Sequence, residues 1–288
     1  MKRKTGFGFL AATAAFGALG FFLRRWQLET AFERETGLLT PGRPATAALL
    51  VLVVVAAAAL TALAVALFRG SERPRGYLAN LAAPNLVIGL LTLLAGALLF
   101  AGGALGVRDF ALQMDDRIVR LVLGLSLAVT GVAVGLIGLL GQQRREAKGR
   151  FAGALLAPGY CACVWLIAAF QGHTANPNIM EYVFLLLGIL CAIFAGYAAA
   201  SFAFETPRPV LCAVTSSMGT VLLFIALADR PRGMDRLALC GFLTHLFVQL
   251  LCLVWCRMYP PELEEWTPPQ EEEDAPQQQD QPRGEEDE

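Results

Sequence analysis

Residues 45–68 read ATAALLVLVVVAAAALTALAVALF. The run carries no charge, and its only polar side chains are the hydroxyls of Thr46 and Thr61. At 1.5 Å per residue in a helix, this length crosses the ~30 Å hydrocarbon core of a bilayer. So uniform a surface is expected to face lipid. Seven further apolar runs of similar length occupy residues 7–23, 86–107, 121–140, 152–170, 183–203, 209–228 and 237–255. The fold class is therefore all-α: a polytopic integral membrane bundle of eight transmembrane helices.

Composition agrees. The apolar fraction is 56%, above the ~45–50% of soluble domains. The longest connections, residues 24–44 and 69–85, are too short for an aqueous core of their own. Residues 1–257 thus form one membrane domain. The net charge of −1 conceals a division: residues 258–288 hold twelve of the 24 acidic side chains and only Arg283 among the basic ones. The tail stands at −11 and the membrane domain at +10. Acidic, Pro- and Gln-rich and with little to bury, 258–288 is expected to be a disordered cytoplasmic tail.

The start, Lys2-Arg3-Lys4 before an apolar run, imitates a signal peptide. That run ends in Leu23-Arg24-Arg25-Trp26 without a small-residue cleavage site, so it reads as a retained first span. Arg25 and Glu29 follow at the i, i+4 spacing of a helical ion pair. Lysine and arginine number twelve on the side of the chain ends and ten on the other. This bias favours both termini in the cytoplasm and residues 173–178 outside.

Spans three and four carry glycines at intervals of seven: Gly89, Gly96 and Gly103, then Gly124, Gly131 and Gly138, with Gly135 added. Glycine stripes let helix backbones approach closely, so these spans are expected to form facing seams across a short loop. General glycine enrichment in membrane helices is the alternative. In span five, Pro158-Gly159 predicts a kink or a broken start.

All seven cysteines fall within or beside spans, where they read as small packing residues rather than as a disulfide framework or metal ligands. Span seven collects Cys212, Thr215, Ser216, Gly219 and Thr220 on one face, and span eight collects Gly241, His245, Gln249, Cys252 and Cys256. These faces are expected to meet, with His245 and Gln249 beside the span-seven hydroxyls, because an unpartnered imidazole or amide in hydrocarbon is costly. His245, Gln249, Ser216 and Thr220 form one candidate intramembrane site. The plainer reading is a neutral histidine holding two helices together. A second candidate lies at the external ends of spans five and six, in Tyr160, Trp165, Gln171, His173 and Asn176. Its plainer reading is an interfacial aromatic belt.

The string Leu23-Arg24-Arg25-Trp26-Gln27-Leu28, the triplet Pro158-Gly159-Tyr160 and the run from Trp165 to Pro177 resemble a group of multi-spanning membrane proteins from anaerobic Gram-positive bacteria. The similarity extends over most of residues 1–257 and does not include the acidic tail. The group has no assigned function, so the resemblance implies a bacterial cell membrane and little more.

Enzyme signatures are absent. There is no H-E-x-x-H, no G-x-S-x-G and no Walker glycine loop. No acidic residue sits deep in a span, which weakens an ion-coupled carrier. Basic segments such as 142–150 suit anionic lipid headgroups, not nucleic acid. The expectation is a non-enzymatic accessory or sensory membrane subunit that binds another membrane component or a small ligand. A small-molecule facilitator or transporter is the alternative. No catalytic residue, metal ligand or cofactor is assigned. The partners are the lipid bilayer and a further membrane protein, and nothing in the sequence fixes an oligomeric state.

Overall fold

The computed structural model describes residues 2–33, 38–40, 42–69, 76–112, 117–142, 150–173, 179–204 and 206–259. The acidic tail beyond Tyr259 lies outside them, as does most of the basic segment 142–150. Eight long helices appear: α1 (Lys2–Thr30), α2 (Pro44–Phe68), α4 (Leu86–Ala111), α5 (Ile118–Gln142), α6 (Arg150–His173), α7 (Val183–Ala203), α8 (Pro209–Leu227) and α9 (Gly233–Met258). A four-residue helix, α3 (Tyr77–Asn80), lies between α2 and α4. All eight long helices are apolar enough to cross a membrane. No strand forms among the described residues beyond an isolated bridge between Phe32 and Leu39.

Sequential neighbours pack together from α4 to α9, and α9 returns to α4. The result is a six-helix ring. The α1–α2 pair packs outside it, chiefly against α8. This explains why α8 is the most enclosed span and α2 the least, with 67% and 22% of their apolar windows buried. Span two meets lipid on one face only: Val51 and Val54 are exposed, whereas Leu49, Ala56, Leu60 and Ala64 are buried.

Small residues set the helix spacings. A methyl group built on Gly131 would stand 2.5 Å from the Gly96 carbonyl oxygen, and one on Gly103 equally near the Gly124 carbonyl oxygen. Both contacts are backbone to backbone, so α4 and α5 touch along the expected glycine seam. A methyl on Gly96 would also come 3.1 Å from the Gly135 nitrogen, whereas one on Gly135 itself would meet only Leu93, at 4.0 Å. A second close crossing joins α6 and α7, where a methyl on Gly196 would come 2.8 Å from the Gly159 nitrogen. Pro158 lies inside α6 and does not break it. The Thr130 hydroxyl of α5 donates to the Ala157 carbonyl at 3.4 Å, beside the point where proline interrupts the ladder. Gly17 and Gly20 seat α1 against Phe224 and Ile225 of α8.

With eight spans, both ends of the described chain lie on one face of the bundle. We call it the terminal face and the opposite one the Arg24 face.

Candidate functional site

Helix α1 continues past the apolar run to Thr30. Arg24 and Gln27, three residues apart, share its inward side. Arg24 is fully buried. Its Nε donates to Asp229 Oδ1 at 2.7 Å. Its Nη1 donates to Gln27 Oε1 at 2.7 Å and to the Met180 carbonyl at 3.0 Å, and its Nη2 donates to the Glu181 carbonyl at 2.7 Å. The rings of Phe184 and Phe32 lie 5.3 and 5.7 Å from the guanidinium carbon, within cation–π range. Gln27 in turn donates to Thr46 of α2 at 3.1 Å. One planar fork thus fastens the peripheral pair to the loops before α7 and after α8. Lysine, a point charge on a flexible stem, could not reproduce this. Arg25 meets Glu29 on the outer side at a loose 3.7 Å.

Asp229 is aimed by the turn that follows α8. Arg230 adopts a left-handed conformation, φ 56°, and Gly233 repeats it at φ 55°. A non-glycine residue there is uncommon and marks a turn held by its surroundings. Burial pushes the Asp229 carboxyl up to about 6, Arg24 opposes the rise, and the nearby Glu181 charge adds to it. Close by, Arg120 of α5 grips Asp235 in the first turn of α9 with two hydrogen bonds, at 2.6 and 3.0 Å. The acid also suits the positive helix N-terminus.

Between these two clamps lies a cavity of about 290 Å³. Arg117, just before α5, and Arg120 within it line the cavity, with Trp165 from α6, Glu181 and Tyr182 from the entry to α7, Asp229 from the turn after α8 and Asp235 from the start of α9. Its floor is apolar: Ala168, Ala169, Leu185, Ala226 and Leu239. Trp165 is 2% exposed and stacks on Phe242, ring centroids 5.1 Å apart.

A second, smaller cavity of about 50 Å³ lies nearer the terminal face. It is lined by Tyr77, Thr92, Ile137, Pro158, Leu155, His245, Gln249 and Cys252, among others. The volume suits a few waters. Gln249 donates to the Ala195 carbonyl at 3.0 Å and to Cys212 Sγ at 3.1 Å. His245 makes no hydrogen bond to the described residues. No residue lines both cavities. Between them Phe242, Leu246, Leu99, Ile189 and Leu223 form a buried apolar layer with Trp165.

The structure therefore divides the first candidate set. His245 and Gln249 share the inner cavity, while Ser216 and Thr220 line neither cavity. On the span-seven face, the residue that Gln249 bonds is Cys212. Thr215 and Thr220 donate to carbonyls of their own helix, four residues back, the usual outlet for a hydroxyl within a helix. Ser216 is fully buried, and its hydroxyl has no partner among the described residues. Cys252 sits two turns from His245, about 10 Å along the axis.

The second set separates as well. Trp165 lines the larger cavity. Tyr160 is exposed on the outside of the bundle and Gln171 is exposed at the end of α6. At 100° per residue, five and six positions turn Tyr160 and Gln171 about 140° and 120° away from Trp165. His173 ends α6, with only its backbone described, and Asn176 lies outside the described residues. Arg24, Gln27, Arg120, Asp229 and Asp235 were absent from the sequence-based sites. Their signal was the presence of opposite charges at several ends of the Arg24 face. Among the described residues, no three His, Cys, Asp or Glu side chains group as metal ligands.

Fold and site define an eight-helix polytopic membrane protein with a charged cavity at one membrane edge. No protein-family model matches the chain, nor does any curated protein or solved structure.

Proposed function

We propose that this protein is a non-enzymatic accessory or sensory subunit of a bacterial cell membrane that binds a small polar ligand on its Arg24 face. The observation that carries the reading is the 290 Å³ cavity, rimmed by fixed charges and floored by the Trp165–Phe242 layer. A closed floor suits a receptor, which holds its ligand at one surface. Charged side chains locked by bidentate and buried hydrogen bonds supply preorganised polar contacts above an apolar base. With both termini cytoplasmic, as the lysine and arginine bias favours, this face would look outward. A facilitator is the second reading, favoured by the inner cavity, whose half-buried imidazole lies on the other side of the same layer.

Labelling in vesicles of defined orientation separates the two. Ala169→Cys should gain reactivity toward an impermeant maleimide from the Arg24 face, and Leu155→Cys from the terminal face, each above the labelling of the parent protein. Either position reached from both sides would reject the receptor in favour of the facilitator.

A further inference from the structure

The two faces of the bundle differ in charge. On the Arg24 face the fold pairs opposite signs: Arg24 with Asp229, Arg120 with Asp235, and Arg25 with Glu29. By sequence that side holds ten basic and nine acidic residues, whereas the terminal side holds twelve basic and three acidic. Nearly all the positive excess of the membrane domain therefore lies on the side where the chain leaves α9. The counter-charge, −11, lies in the residues beyond Tyr259.

Four basic side chains of the terminal face are gathered by the packing. Arg257 Nε donates to the Leu67 carbonyl at 3.2 Å, which sets the end of α9 against the end of α2, just before Arg69. A methyl on Gly6 would stand 2.9 Å from Met258 Sδ, so the start of α1, with Lys4, lies beside the same end. Arg208 directly precedes α8, which packs against both α1 and α2, and its guanidinium carbon lies 5.6 Å from the Tyr197 ring centre. Lys4, Arg69 and Arg208 are exposed. None of the three has an acidic partner among the described residues. No acidic side chain occurs among the described residues of this face.

We propose that the occupant of this face is the chain's own acidic segment, 260–288, which turns back over Lys4, Arg69, Arg208 and Arg257 and covers them by charge pairing. The segment begins three residues after Arg257, so this cluster is the first positive surface it meets. A chain of its 29 residues reaches about 30 Å even when coiled, which is about three helix spacings of 8–10 Å. Its acids therefore reach all four helix ends. Tethering holds the segment near the face at an effective concentration of the order of millimolar. Repulsion by anionic headgroups denies it the adjoining bilayer surface. One exposed ion pair is worth little, but twelve acids act together against a face whose own acids are few. Bound in this way, the segment screens the terminal face from anionic lipid.

The lysines report on this contact, since Lys2, Lys4 and Lys148 are the only three in the chain and all belong to the terminal side. A carbodiimide joins a lysine amine directly to a carboxylate that touches it. The test treats the full chain, one copy per phosphatidylcholine nanodisc, and maps the links by mass spectrometry. Lys4 should link to the far acids, Asp280 and Glu285 to Glu288, at low salt. The yield should fall about tenfold in 1 M sodium chloride, where the Debye length is ~3 Å. Arg69→Gln combined with Arg208→Gln, both at exposed positions, should lower the yield about threefold and leave thermal stability unchanged. The links should persist in discs that contain phosphatidylserine. Links absent at low salt, equally strong at high salt or unaffected by the paired substitution would overturn the proposal. Links lost only in the phosphatidylserine discs would assign the face to anionic headgroups and would also overturn it.

Discussion

Arg24 and His245 are the two ionisable side chains, cysteines aside, that most demand an explanation inside this bundle, and the protein treats them in opposite ways. Arg24 stands at a membrane edge, and four hydrogen bonds and two aromatic rings converge on it from three separate segments. His245 stands deeper, beside a small cavity, with no hydrogen bond to the described residues. A permanently charged group cannot shed its proton, so the fold must surround it with acceptors. An imidazole can be neutral and adjoin a space fit for water. The difference teaches that the most deeply placed polar residue of a membrane protein need not mark its site. Here the constructed polar arrangement is at the edge.

The largest expected effect comes from breaking the edge clamp. Arg24→Met should remove about 3–5 kcal/mol of stability, the usual cost of deleting one partner of a buried pair, read as lost thermal stability in detergent. Arg24→Lys should recover only part of it, since the fork is lost. If Arg24→Met were neutral, the hub would be decoration.

Next is the seam. Gly131→Leu should cost about 1–3 kcal/mol or more by forcing α4 and α5 apart, since a methyl there already meets the Gly96 carbonyl oxygen at 2.5 Å. Val132→Leu, on an exposed position of the same helix, should be within about 0.5 kcal/mol of the parent. Equal losses would remove the argument from close approach.

A comparable but pH-dependent effect belongs to Asp229. Its carboxyl, at about 6 against an ordinary 3.8, holds a proton more tightly in the folded protein. That contribution to stability is complete below about pH 4 and is lost as pH rises through 6. Two units correspond to about 3 kcal/mol at most. Arg24 and Glu181 face this carboxyl, and Arg25, Glu29 and Arg230 line the shallow space on its other side. Asp229→Asn should flatten the change in melting temperature between pH 4 and 7. An unchanged slope would assign the titration elsewhere.

The smallest effect should be at the inner cavity. His245→Gln should change stability by less than about 1 kcal/mol, because no hydrogen bond to the described residues is lost. A loss as large as that of Arg24→Met would erase the contrast between the two regions.

Much of this architecture was legible in the sequence, and the reason is physical. A bilayer imposes a length and an apolarity that each span declares by itself, so all eight appear in the letters. Glycine stripes are equally local, and the Gly96–Gly131 seam follows from spacing alone. The closure of α9 on α4 is not local, and nothing in either span announces it. The edge clamp is harder still. Arg24 finds its partners 156, 157 and 205 positions away, and an arginine at a span end reads first as a headgroup anchor. The meeting of the span-seven and span-eight faces, expected to set His245 and Gln249 near Thr215, Ser216, Gly219 or Thr220, takes the form of a Gln249 hydrogen bond to Cys212, while Thr215 and Thr220 bond their own helix. A threonine hydroxyl in a helix can satisfy itself on its own backbone, which removes the need for a partner on the facing span.

The central claim is that the Trp165–Phe242 layer separates a receptor cavity from the inner one. The most direct measurement is maleimide reactivity from the Arg24 face at Thr92→Cys, an inner-cavity position, with Phe242 intact and with Phe242→Ala. The account predicts no reaction in the first protein and clear reaction in the second. Equal reaction in both would show that the layer does not close the bundle and would contradict the account.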